Sequence, residues 1–167
     1  MLRILSILVF LGAISMGEAH VSAQPARVGA SGQPIPRLIS LAASKAYMRT
    51  GPGRQYPIEW VYRRSHLPLE VVDEHGAWRQ VRDHEGITGW MHVSLLSPRR
   101  TAIIIGETRK LYAEPDPSSR LRITAEPSVV GEISRCEGIW CKLEIDDTEG
   151  WIERRYIWGV YPNETIK

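Results

Sequence analysis

The sequence predicts an all-β protein built from two copies of one small unit. Three observations predict it. A series of short motifs occurs twice in the same order, short runs alternate apolar and polar residues between Gly-rich turns, and Pro and Gly recur too often for a long helix.

The first residues stand apart from this pattern. Arg3 supplies a positive charge, Ile4 to Met16 is an almost unbroken apolar run, and Val21-Ser22-Ala23 follows with small residues. This order is that of a secretory signal peptide over residues 1–23, with cleavage expected after Ala23. The apolar run is shorter than the roughly 20 residues that a spanning helix needs. The first cysteine is Cys136, far from the apolar run, which argues against a lipid-anchored start. The mature chain is therefore expected to be periplasmic or secreted, without stable membrane insertion. Residues 24–37 are rich in Pro, Gly, Ala and Ser without periodicity and read as a flexible linker.

The first copy spans residues 38–100. It holds Met48-Arg49-Thr50-Gly51-Pro52, Leu69-Glu70-Val71-Val72, Gly76-Ala77-Trp78, Gly89-Trp90-Met91 and Leu95-Leu96. The second spans residues 101–162, with Leu111-Tyr112-Ala113-Glu114-Pro115, Gly131-Glu132-Ile133, Gly138-Ile139-Trp140, Gly150-Trp151-Ile152 and Tyr156-Ile157. Residues 163–167 form a tail. Alternation in Leu69–Asp73 and Val129–Arg135, with turn signals at His75-Gly76 and Glu137-Gly138, reads as strands of a barrel or sandwich. A unit of roughly 60 residues buries little core and is marginal alone. Ile103-Ile104-Ile105 reads either as the closing strand of the first unit or as an apolar junction between the two.

Composition narrows the function. A formal net charge of +2 is too small for the strongly basic face that nucleic acid demands. In an exported chain Cys136 and Cys141 meet an oxidising compartment and are expected to pair. Such a bridge restricts the unfolded chain by roughly 2 kcal/mol. Superposing Trp78 on Trp140 places Glu74 at Cys136 and Arg79 at Cys141. An opposite-charge pair in one copy thus matches the cysteine pair in the other, and cross-strand neighbours are where such pairs stabilise a sheet.

The run Met48 to Ile58, with Gly76-Ala77-Trp78-Arg79-Gln80-Val81 and Gly89-Trp90-Met91-His92, resembles the bacterial Src-homology-3-like (SH3b) domain. The second copy resembles it through Gly138-Ile139-Trp140-Cys141-Lys142-Leu143 and Gly150-Trp151-Ile152. The closing Trp158-Gly159-Val160-Tyr161-Pro162 is similar to a tail of exported alphaproteobacterial members with two tandem repeats. The resemblance covers about residues 38 to 162 and implies two small SH3-like β-barrels of five or six strands each. It also implies a non-catalytic role in binding cell-wall (peptidoglycan) peptides or an envelope protein. A scaffolding partner of another periplasmic protein is the alternative.

Alternation assigns faces to the tryptophans. Side chains two apart share a face of a strand. Trp78 goes with Gln80 and Arg82, and Trp140 with Lys142 and Glu144, so both belong to the polar outer face. Either they line a groove, as the tryptophan of the eukaryotic relatives does, or they cover the open end of a barrel. Trp90 and Trp151 read as core or semi-buried. The eukaryotic domain ends in Gly-x-x-Pro-x-Asn-Tyr-Val. His92 and Glu153 stand where its Pro would be, Tyr156 keeps the aromatic, and Leu95 loses it. These departures disfavour proline-rich ligands and make the second copy the better groove. The candidate ligand-binding residues are Trp78, His92, Trp140, Glu153 and Tyr156. Arg154 and Arg155 read as a solvated charged turn or as partners for ligand carboxylates.

A cysteine hydrolase would need a Cys141 thiolate beside a His base, and Cys136 stands ready to consume that thiol. His66, His75, His84 and His92 lie about nine residues apart, which fits no common metal-ligand spacing. Asp146 and Asp147 read as a solvated turn. No metal or cofactor is expected.

Overall fold

A computed structural model describes residues 27–167. The signal segment and its cleavage point lie outside the described residues. The described chain is all-β, with only two short 3-10 turns.

The first sheet contains β3 (Arg37–Leu41), β4 (Ala46–Arg49), β5 (Ile58–Tyr62), β6 (Pro68–His75), β7 (Trp78–Arg82), β8 (Thr88–His92) and β9 (Leu96–Ser97). The second contains β10 (Thr101–Ile104), β11 (Arg109–Tyr112), β12 (Leu121–Ala125), β13 (Val130–Glu137), β14 (Trp140–Ile145), β15 (Thr148–Glu153) and β16 (Ile157–Trp158). Their orders are β5-β4-β8-β7-β6-β3-β9 and β12-β11-β15-β14-β13-β10-β16. Strand for strand the two orders coincide, so the repeat read in the sequence is a repeat in space. Each sheet has seven strands where the resemblance implied five or six. The surplus includes the two-residue β9 and β16, each following a 3-10 turn.

Local chemistry accounts for the repeated details. Gly76 and Gly138 carry φ of +53° and +54° in the two-residue turns after β6 and β13, a conformation that glycine adopts without a Cβ clash. Asp146 and Asp147, both at positive φ, turn β14 into β15, as their turn reading anticipates. Both long hairpins shift register at one place, between Val71 and Asp73 and between Ile133 and Arg135. Inward residues alternate with outward ones along β7 and β14. Leu41, Met48, Leu69, Val71, Val81 and Met91 form the first core, and Ala102, Leu111, Leu143, Ile152 and the two cysteines anchor the second.

The stretch read as a flexible linker is instead folded from Arg27 onward. β1 (Arg27–Val28) pairs antiparallel with β2 (Pro34–Ile35), and Ile35 is buried in the first core. The Ser31 N–H and hydroxyl donate to the Glu74 carboxylate at 2.7 and 2.8 Å, and Arg37 pairs with it at 2.7 Å. A Cβ on Gly29 would lie 2.5 Å from the same carboxylate, so only glycine lets the backbone approach it. The partners of this hairpin lie some forty residues away, and local composition carries no trace of them.

The Ile103 run is a junction and not the closing strand of the first barrel. β10 pairs with β13 and β16 of the second sheet. Because its side chains alternate, Ala102 and Ile104 enter the second core while Ile103 enters the first. Burying an isoleucine contributes roughly 2–3 kcal/mol. Polar contacts reinforce the junction: the Thr101 hydroxyl donates to the His66 carbonyl at 2.7 Å, and the Tyr161 hydroxyl donates to Glu70 at 3.0 Å. Gly159 packs so closely that a Cβ there would meet the Thr101 carbonyl at 2.3 Å.

The tail is also held. Cys136 and Ile166 exchange backbone hydrogen bonds of 2.9 and 3.1 Å, and Arg100 pairs with Glu164.

Candidate functional site

β14 and β15 carry the candidate residues of the second repeat. Trp140 stands directly across from Glu153. The following 3-10 turn, Arg154–Tyr156, swings Tyr156 back toward them. The β11 strand brings Tyr112, whose ring meets Trp140 edge-on with centroids 6.4 Å apart and planes at 84°. Trp140, Glu153, Tyr156 and Tyr112 line one open cleft of about 250 Å³ with Arg109, Lys110 and Pro117. The three predicted residues of this repeat are therefore brought together.

Two guanidinium groups face the Tyr156 ring, Arg109 at 4.0 Å and Arg155 at 4.7 Å from its centroid. Arg155 is also paired with Glu153 at 2.9 and 3.0 Å, and that hydrogen bond and charge raise the Arg155 pKa. Arg154 points the other way and donates to the carbonyls of Tyr161 and Glu164. The solvated-turn reading fits Arg155, which is exposed on the turn and paired with Glu153, but not Arg154, which ties down the tail. Beside the cleft, Glu153 and Arg155 also border a second depression of about 510 Å³ lined by Ile139, Ile157, Val160 and Pro162.

The first repeat is built alike but lined differently. Trp78 and His92 are cross-strand partners, with rings 5.4 Å apart and at 80°. His92 Nδ1 lies 2.8 Å from the Ser94 hydroxyl and accepts the Ser94 N–H, capping the 3-10 turn. Where the second repeat has Tyr112, the first has Arg49, which donates to the Tyr56 carbonyl at 2.7 Å. Where the second has Tyr156, the first has Leu95, partly buried on its core.

Trp78 and Trp140 are half-buried on the outer faces of their strands, as alternation predicts. Trp151 is buried and Trp90 half-buried. Tyr112, Arg109 and Lys110 were missed. Tyr112 carried a signal: it follows the buried Leu111 in a strand, so alternation turns it outward.

Cys136 and Cys141 are cross-strand partners joined by a disulfide, with Cα atoms 4.1 Å apart, and both are fully buried. The bridge consumes both thiols, so neither offers a thiolate nucleophile. Among the described residues no group of His, Cys, Asp and Glu is arranged to hold a metal ion, and no helix is long and apolar enough to cross a membrane.

Two tandem units, each with a tryptophan at the head of its fifth strand, define an SH3-like module. The family model of the bacterial SH3 domain matches residues 42–98 and 106–159. The chain belongs to that family, with two copies of its domain. No curated protein matches the chain. Among solved structures it is similar to NlpC2 from Trichomonas vaginalis, with 10% identity, a TM-score of 0.34, and coverage of 74% of this chain and 48% of that one. It is also similar to an NlpC/P60 family protein from Bacillus cereus ATCC 10987, with 14% identity, a TM-score of 0.33, and coverage of 72% and 55%. The chain thus spans about half the length of these two proteins.

Proposed function

We propose that this chain is an exported, non-catalytic binding module that holds cell-wall (peptidoglycan) peptides or an envelope protein in the cleft of its second repeat. One observation carries the reading: Tyr112, Trp140 and Tyr156 converge on one open cleft, lined also by Glu153, which is paired with Arg155. Rigid aromatics beside polar groups supply contact area at low entropic cost, which is what peptide recognition needs. Membership of the bacterial SH3 family agrees with this role. The experiment is co-sedimentation of the purified chain with protein-free peptidoglycan sacculi. Pelleting that is lost in Trp140→Ala supports wall binding through this cleft. Absence of pelleting at every salt concentration removes the wall as the ligand.

A second reading, docking on another envelope protein, is favoured by β5. It is an edge strand, and Ile58, Trp60 and Val61 on it are exposed together with Tyr47 and Tyr56. Exposed apolar edges are templates for pairing with another chain. Failure to bind sacculi, together with one stoichiometric partner that Val61→Lys no longer holds, would select this reading.

A further inference from the structure

Arg109 breaks the rule that its position sets. Its equivalent in the first repeat is Ala46: Ala46, Tyr47, Met48 and Arg49 pair along β5 as Arg109, Lys110, Leu111 and Tyr112 pair along β12, with the bulge at the same step. Ala46 is buried in the first core. The second repeat places an arginine there, and the last residue of the following 3-10 turn differs as well: core-packed Leu95 in the first repeat, and in the second Tyr156, whose ring the Arg109 guanidinium covers. Where the first repeat has a buried alanine, the second has a cation stacked on an aromatic ring.

The guanidinium has no partner suited to it. The Arg109 guanidinium donates no hydrogen bond to any described residue, and its Nε is shielded from solvent without an acceptor. The nearest carboxylate, Glu107, is 4.0 Å away and almost wholly exposed. A shielded donor left unpaired is costly; Arg79, Arg100 and Arg154 also have an Nε without a hydrogen bond, but each donates through its terminal nitrogens, which Arg109 does not. The other charges of the cleft are spoken for, since Glu153 is neutralised by Arg155. Arg109 and the exposed Lys110 leave the cleft positive.

We infer that Arg109 is a carboxylate-recognition residue, and that the second repeat, unlike the first, selects peptides bearing a free carboxylate. The ring of Tyr156 holds the guanidinium plane, and the fork then meets a planar carboxylate in two parallel hydrogen bonds. Trp140 and Tyr112 flank the peptide beside it. This inference rests on the wall-binding reading above.

The test compares untreated sacculi with sacculi whose carboxylates have been converted to amides, using the wild-type chain, Arg109→Gln, Arg109→Ala and, as a charge control, Arg54→Gln in the first repeat. Wild type and Arg54→Gln should bind amidated sacculi five- to tenfold more weakly than untreated ones. Both Arg109 variants should bind untreated sacculi at the level that wild type shows on amidated ones, and should be indifferent to amidation. Unchanged melting temperatures would separate this from a structural effect. Equal amidation sensitivity in wild type and the Arg109 variants would overturn the inference while leaving wall binding intact. Failure of wild type to bind either preparation would overturn both.

Discussion

Arg79 lies across the β6–β7 hairpin from Glu74, its Nε 3.2 Å from the Glu74 carboxylate, at the register position that the Cys136–Cys141 disulfide occupies in the second barrel. One barrel closes this hairpin with charge and the other with a covalent bond. The carboxylate side chain is almost wholly buried and is met by Arg37, Arg79 and Ser31.

Removing that carboxylate leaves two arginines facing one another. Glu74→Gln should therefore cost roughly 3 kcal/mol, read by urea denaturation followed by tryptophan fluorescence. A loss below 0.5 kcal/mol would show that the pair is decorative.

The same group makes the protein acid-sensitive. Burial alone would raise the Glu74 pKa, but the hydrogen bonds from Ser31 and the Arg37 guanidinium outweigh it and hold the carboxyl at about 2, against an ordinary value of 4.5. The folded value is depressed, so below 4.5 the unfolded chain binds a proton that the folded chain refuses. This stabilisation is complete above 4.5 and is lost as pH falls toward 2. Wild type should lose more stability than Glu74→Gln between pH 5 and pH 2.5, about the limits that these values set. Parallel curves would contradict the assignment.

Replacing both cysteines by serine should cost roughly 2 kcal/mol through the freed unfolded chain. Combining Cys136→Glu with Cys141→Arg copies the first barrel's pair but not its support, since Arg100, which holds the register position of Arg37, is already paired with Glu164, and the Ser31 hairpin belongs to the first barrel. That double variant should remain less stable than the disulfide form, by chemical denaturation under oxidising conditions.

Trp140→Ala and Tyr156→Ala should abolish most ligand binding with melting temperatures close to wild type, because both side chains are only partly buried. Trp151→Ala, which empties a buried position, should cost about 3–5 kcal/mol. Unfolding by Trp140→Ala would instead make that residue a cover for the barrel.

Ile103→Ala should remove a plug of the first core that is supplied by the second sheet. The expected cost is about 2–4 kcal/mol, with one calorimetric transition splitting into two. A single unsplit transition would show that the barrels are coupled elsewhere.

The sequence was most legible where one copy could be laid on the other. The Glu74–Arg79 and Cys136–Cys141 correspondence needed only that superposition, because both pairs flank a turn that glycine marks in each copy. The outward placement of Trp78 and Trp140 needed only alternation along β7 and β14. The amino-terminal hairpin was illegible because a single apolar residue, Ile35, anchors it and its polar partner Glu74 is remote in sequence. Ile103 was ambiguous because an unbroken apolar run has no polar side to declare which face it turns inward; here both faces are buried, in different cores. Arg109 escaped notice because it precedes the repeated motif and meets its ring only after the 3-10 turn folds back.

The two-faced β10 strand carries a consequence for the history of the chain. A duplicated module ordinarily keeps the freedom to be lost, shuffled or copied again. Here the second copy has lent a side chain to the interior of the first, so deleting either one would injure the survivor. What arose as a repetition is now inherited as a single indivisible part.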